Sequence, residues 1–155
     1  MLFRSNGQIS LSGAATFQGS LSANFNNPFF WPTVGSSFTL LNYPSESGVL
    51  FTSTVLPAFI TWQTNYSLTS FTLTVIARST NPAPSTLFYS RPTATNLFFE
   101  WYGDHTGWNL QSQTNPLTIG LNTNWATVPG SALTNMIYLP VGKTNGSVFF
   151  RMSYP

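Results

Sequence analysis

Along residues 9–25, "ISLSGAATFQGSLSANF", every second position from Ile9 is apolar or glycine, namely Ile9, Leu11, Gly13, Ala15, Phe17, Gly19, Leu21, Ala23 and Phe25. The positions between are Ser, Ala, Thr, Gln and Asn. A period of two marks a strand with one buried face. At roughly 3.3 Å per residue the stretch would extend about 55 Å, far more than the five or six residues usual for a strand. Two outcomes fit: Gly13 and Gly19 bend it into two strands of one domain, or its first part leaves its own subunit and completes another.

The same period recurs downstream at short intervals. "SFTLLNY" (residues 37–43), "GVLFTSTVL" (48–56), "FITWQTNYS" (59–67) and "SFTLTVIAR" (70–78) are rich in Thr, Val, Phe and Tyr, the residues that suit a pleated, half-buried surface. "STNPAPSTLFYSRP" follows, where Pro82, Pro84 and Pro92 interrupt pairing, and residues 79–95 read as a connection between modules. Beyond it come "NLFFEWYG" (96–103), "GWNLQSQT" (107–114), "NWATVPG" (124–130), "NMIYLPV" (135–141) and "SVFFRMSY" (147–154), with a further candidate at "TLFYS". Turn chemistry separates them at Gly103-Asp104, Asn115-Pro116, Pro129-Gly130 and Asn145-Gly146, the last fitting the centre of a two-residue hairpin. Short strands at such spacing predict an all-β chain, an antiparallel β-sandwich of immunoglobulin-like or fibronectin-like build. The expected organisation is an N-terminal donor segment (1–18), a first β module (19–78), the Pro-rich connection (79–95) and an immunoglobulin-like module (96–155). That second module counts short of the usual seven strands, and a sandwich missing a strand leaves a groove of unpaired backbone groups.

Composition changes the picture mainly through charge. The 155 residues carry five Lys or Arg and three Asp or Glu, far below the charged quarter typical of a soluble domain. A weakly charged surface rich in aromatic residues, Thr and Asn suits a secreted protein built for lateral contact. The five cations, Arg4, Arg78, Arg91, Lys143 and Arg151, are scattered along the sequence, which argues against nucleic acid as a partner. With no cysteine there is no disulfide framework, thiolate metal site or cysteine nucleophile. No apolar run approaches the roughly 20 residues that span a bilayer, and "MLFRSNGQIS" lacks the apolar core of a signal peptide. An exported chain is therefore expected in its mature form.

Catalytic chemistry finds little material. His105 is the single histidine, beside Asp104 and near Glu100, and "YGDHTG" reads more simply as a hydrogen-bonded turn than as a metal or acid-base site. No GxSxG elbow is present, and a glycosidase pair would have to come from Glu46, Glu100 and Asp104. In "NLFFEWYG" alternation sets Leu97, Phe99 and Trp101 on one face, expected as core, and Phe98, Glu100 and Tyr102 on the other. The aromatic residues Trp101, Tyr102, Trp108 and Trp125 are the candidates for a carbohydrate platform or a subunit contact, and for so apolar a chain the contact is favoured. Asn65 and Asn145 head the two sequons, NYS and NGS, and a glycan is the corresponding candidate partner.

The segments "VGSSFTLLNYPSESGVLF" and "NYSLTSFTLTVI" resemble β-rich segments near the C-termini of very large secreted proteins of Verrucomicrobia-type environmental bacteria. "FFEWYGDHTGWNLQSQTNPLTIGLNTNWATVPGS" and "TNGSVFFRMSYP" are similar to the terminal module of those proteins. In size and build the chain is also similar to protomers of pilus-like environmental bacterial fibrils, in which an N-terminal strand completes an immunoglobulin-like domain of another protomer. The resemblance implies a β fold, a surface location and a polymerising subunit, and it implies no catalytic residue. The expectation is an extracellular or cell-surface structural subunit of a pilus-like filament. It is not an enzyme, takes no cofactor and no metal, has no membrane-spanning segment, and has copies of itself as partners. Ile9, Leu11, Ala15 and Phe17 are the side chains expected to insert into a neighbour. The alternative is a carbohydrate-binding accessory module of a secreted protein.

Overall fold

The computed structural model describes residues 7–48, 50–116, 118–142 and 146–155. The chain is all-β, and among the described residues its helical elements are two single 3-10 turns, Gly103–His105 and Ser131–Leu133. It divides into two compact units, Met1–Asn26 with Pro32–Ser79, and Asn27–Trp31 with Thr80–Pro155. Each unit contains two sheets, a sandwich-like arrangement.

The first unit comprises β1 (Ile9–Ser10), β2 (Ser20–Ser22), β3 (Ser37–Asn42), β4 (Ser53–Val55), β5 (Ile60–Tyr66) and β6 (Ser70–Arg78). One sheet runs β1-β3-β6-β5 and the other pairs β2 with β4. The inner strand β6 shows why this sequence makes a sheet. Phe71, Leu73 and Val75 turn inward and are buried, while Thr72 and Thr74 face the other way, where their hydroxyls meet those of Thr39 and Ser37 on β3 at 3.3 and 2.9 Å. Such cross-strand pairs fix the register that the alternation demands. The turn from β5 to β6 is closed by Ser67, whose hydroxyl accepts the Ser70 amide at 2.9 Å. The core gathers Ala15, Phe17, Tyr43, Phe71 and Leu73, with Leu21, Phe51, Trp62 and Tyr66 packed against them.

The second unit comprises β7 (Phe88–Thr93), β8 (Asn96–Glu100), β9 (Asn109–Asn115), β10 (Ala126–Thr127), β11 (Met136–Pro140) and β12 (Ser147–Ser153). Its sheets are β10-β9-β12 and β11-β8-β7, with every pairing antiparallel. Between them lie Phe99, Trp101, Leu110 and Val128, and the rings of Phe99 and Phe150 join the sheets at 4.5 Å between centroids. The segment Asn27–Trp31, from the first half of the sequence, belongs to this unit. Gly103 donates its amide to Pro28 O at 2.9 Å, and a Cβ at this position would stand 2.9 Å from Trp31 Cβ and 3.0 Å from the Phe30 carbonyl. Only glycine permits that approach. Asn135 holds the same segment with its side-chain amide, which donates to Phe29 O at 2.8 Å and Trp101 O at 3.0 Å.

Within its unit the opening stretch is bent into two strands, one of the two outcomes expected for it: Gly19, at φ 73°, turns the chain between β1 and β2, and both strands pair in parallel, β1 with β3 and β2 with β4. Two other expectations change. Residues 79–95, read as a connection, contain β7, which is an edge strand and so tolerates Pro92. Finally, the strands on either side of Asn145-Gly146 are not a hairpin, because β11 and β12 pair in different sheets. Asn145 itself lies outside the described residues.

Candidate functional site

Residues 9–25 run along the first unit in short pieces of parallel pairing: β1 with β3 over two residues, an isolated bridge between Ala15 and Glu46, and β2 with β4 over three. Around these pieces Leu11 N donates to Asn42 O and Ala15 N to Ser45 O, both at 2.8 Å, Ala15 O and Gly19 O accept the Ser47 and Thr52 amides at 2.9 Å, and Ala23 N donates to Val55 O at 3.0 Å. The regular pairing is thus short and interrupted, and parallel pairing is slightly the weaker per residue. The side chains carry more of the contact. Phe17 lies in a slot of three rings, with centroids 5.3 Å from Tyr43, 5.1 Å from Phe51 and 5.8 Å from Tyr66. Burying a ring of this size stabilises by about 1.5–3 kcal/mol. Tyr43, at the base of the slot, donates its hydroxyl to Ser67 O at 2.9 Å. Burial, followed by the nearby Glu46 charge, pushes its phenol up from the ordinary value.

The four side chains expected to be donated therefore divide. Ala15 and Phe17 are buried in the core of their own unit. Ile9 and Leu11 occupy the same alternating phase but remain 60% and 41% exposed. The inward-facing pattern is thus satisfied from Ala15 onward and left uncovered before it. Sequence reasoning found the strand and its phase. It missed the slot, whose rings come from three separate segments, because alternation says which residues face inward and not which ones meet.

The aromatic candidates do not gather into an exposed strip. Trp101 is 0% and Trp108 7% exposed, both inside the second unit. Trp108 donates its indole N–H to Asn81 O at 2.8 Å, whereas that of Trp101 is buried without a partner among the described residues. Trp125 lies under Arg151, whose guanidinium carbon is 4.4 Å from the ring centroid. Tyr102 is half-buried and stacks on Phe29 at 5.8 Å.

His105 and Asp104 sit in a clasp rather than an open cleft. His105 Nδ1 is 2.6 Å from Asp104 Oδ1 and Nε2 is 2.8 Å from Ala83 O, while Asn81 donates to Asp104 Oδ2 at 2.7 Å. Nε2 ties the Pro-rich segment to the 3-10 turn at Gly103–His105, while Nδ1 is occupied by Asp104 within that turn. Among the described residues no three of the His, Cys, Asp and Glu side chains come together. No helix among them is long and apolar enough to cross a membrane. Asn65 is exposed on β5, and the hydroxyl of its sequon partner Ser67 is engaged in the β5–β6 turn.

Comparison with protein-family models, curated proteins and solved structures gives no match. The functional reading therefore rests on the slot, the short and interrupted pairing of the segment that fills it, and the uncovered residues before it.

Proposed function

We propose that the chain is a structural subunit of an extracellular bacterial fibre, polymerising by exchange of its N-terminal strand. The observation that carries the reading is the unfinished phase of the opening stretch: Ala15 and Phe17 fill a core slot, while Ile9 and Leu11, in register with them, are left exposed. An edge segment whose regular pairing is two residues and one bridge can leave its slot and be replaced by the same segment of another copy, with the same contacts re-formed. Gly19 is the natural hinge, with a left-handed φ and open space around its Cα. Once residues 9–17 lie on a neighbour, Ile9 and Leu11 face a subunit junction instead of water. Donor and acceptor surfaces differ, so the contact is heterologous and propagates without closing. The near absence of charge supports the extracellular, laterally packed state.

The test compares electron micrographs of the full chain, of the chain lacking residues 1–18, and of Leu11→Asp. Fibres are expected from the first alone. Burying an unpaired Asp at a junction costs several kcal/mol, and the truncated chain has nothing to donate. A peptide of residues 6–19, "NGQISLSGAATFQG", is expected to bind the slot vacated in the truncated chain. Normal fibres from the truncated chain would overturn the reading.

A further inference from the structure

The outward face of the β11-β8-β7 sheet is apolar and only partly covered, by Phe29 against Phe88 and Tyr102 at 5.4 and 5.8 Å between centroids. Across it Phe88, Glu100 and Met136 stand in one row and Ser90, Phe98 and Tyr138 in the next. Phe98 and Tyr138 are 4.7 Å apart by centroid, and Tyr102 meets Phe88 at 5.4 Å. Phe88, Met136 and Tyr138 are exposed. At one end of this face, as the last residue of the central strand, stands one carboxylate. Among the described residues the Glu100 side chain has no hydrogen-bond or ion-pair partner, the only ion pair there being His105 with Asp104. Partial burial pushes its carboxyl above the usual range. A half-buried carboxylate ringed by aromatic groups is a receptor for a cation that carries apolar neighbours.

The chain itself holds few candidates for that cation. Arg78 donates to Pro32 O, Arg91 to Ala94 O, and Arg151 to Gln111 while lying over Trp125. Arg4 and Lys143 lie outside the described residues, and their sequence settings differ. Lys143 is set in "VGKTNG", a polar turn sequence, whereas Arg4 is set in "MLFRSNG" behind Leu2 and Phe3. Arg4 alone brings apolar side chains that an aromatic face can cover. It also lies only five residues ahead of Ile9, about 17 Å of extended chain, on the segment proposed to leave its subunit.

We propose that this face is a docking surface for residues 1–8 of a neighbouring copy, with Arg4 paired to Glu100 among the rings of Phe88, Phe98, Tyr102 and Tyr138. The proposal rests on the fibre reading and adds a second point of attachment to it: the slot takes Ala15 and Phe17, and the sheet face takes the residues before them. Guanidinium pairs with carboxylate through two N–H donors and stacks on aromatic rings, so one side chain satisfies both features of the face.

The probe is a fluorescently labelled peptide of residues 1–8, "MLFRSNGQ", titrated by anisotropy into the full-length chain carrying Arg4→Glu, whose own segment cannot compete. Saturable binding is expected, weakened about tenfold by Glu100→Gln in the chain or by Arg4→Gln in the peptide, as for loss of one charge-assisted pair. Reversing the charges, Glu100→Arg in a chain that keeps its native Arg4 with Arg4→Glu in the peptide, is expected to restore binding, which guards against a variant that is merely misfolded. Equal binding by all peptides, or none by the native one, would overturn the pairing. Peptide binding with no fibres from any chain would support the docking surface and defeat the fibre reading. Normal fibres with no peptide binding would do the reverse.

Discussion

The two units share an all-β build and differ in how a terminal strand is attached, β1 and β2 opening the first and β12 closing the second. In the second unit β12 pairs with β9 over seven residues, Ser147↔Asn115 through Ser153↔Asn109, and polar side chains reinforce the framework. Ser131 alone accepts the Leu110 amide at 3.0 Å and donates to Val128 O at 2.8 Å. In the first unit β1 pairs with β3 over two residues and β2 with β4 over three, both in parallel, the slightly weaker geometry. The sequence that opens the first unit alternates more regularly than any in the second, yet its strands pair over only two and three residues. A strong strand signal therefore marks the capacity to pair, while the pairing actually made depends on what lies alongside.

This contrast can be broken most forcefully from the second unit. Trp101→Ala removes a fully buried indole and is expected to destabilise by about 3–5 kcal/mol, read as a lower urea midpoint that no N-terminal peptide restores. Phe17→Ala is expected to cost about 3 kcal/mol, because its slot lies at an edge that can partly collapse. Here an added peptide of residues 6–19 with its native Phe17 is expected to recover most of the loss. Gly103→Ala forces a Cβ against the backbone of Phe30 and is expected to cost about 1–3 kcal/mol, with denaturant unfolding as the measurement.

The smallest effect belongs to Glu100. Its carboxyl is raised by burial, so the folded subunit binds that proton more tightly than the unfolded chain. Stability is therefore fullest below the ordinary carboxylate range and declines as pH rises through the folded value. Glu100→Gln is expected to flatten this decline in a series of thermal melts, and a steeper decline would contradict it. Pairing with a guanidinium would lower the same group, so the subunit is expected to gain in assembly what it loses alone as pH rises.

Much of the β framework was legible in the residues. "SFTLTVIAR" corresponds to β6 residue for residue, and "SVFFRMSY" and "NMIYLPV" contain β12 and β11, because each has apolar residues on one face and turn chemistry at its ends. "GVLFTSTVL" shortened to the three residues of β4, since its neighbour β2 is equally short. The transfer of Asn27–Trp31 to the second unit was not legible. It depends on Gly103 and Asn135, more than 70 residues away in sequence by their numbering, and nothing local announces such a contact. Trp101 was readable as core from alternation, and its simultaneous place among the sugar-platform candidates conflicted with that pattern. For the site, the phase of Ile9, Leu11, Ala15 and Phe17 was visible. Where the phase stops being covered was visible only in three dimensions.

Strand exchange is tested most directly by trapping. Thr16 and Ser47 face each other across the edge of the slot, with side-chain oxygens 3.4 Å apart, and the native chain has no cysteine to interfere. Thr16→Cys with Ser47→Cys, oxidised after assembly and run on a non-reducing denaturing gel, is expected to give a ladder of covalent multimers, since each strand would be bonded into the next copy. Fibres that dissolve entirely into internally bridged monomers would show that residues 9–17 stay at home and that the fibre is not built by exchange.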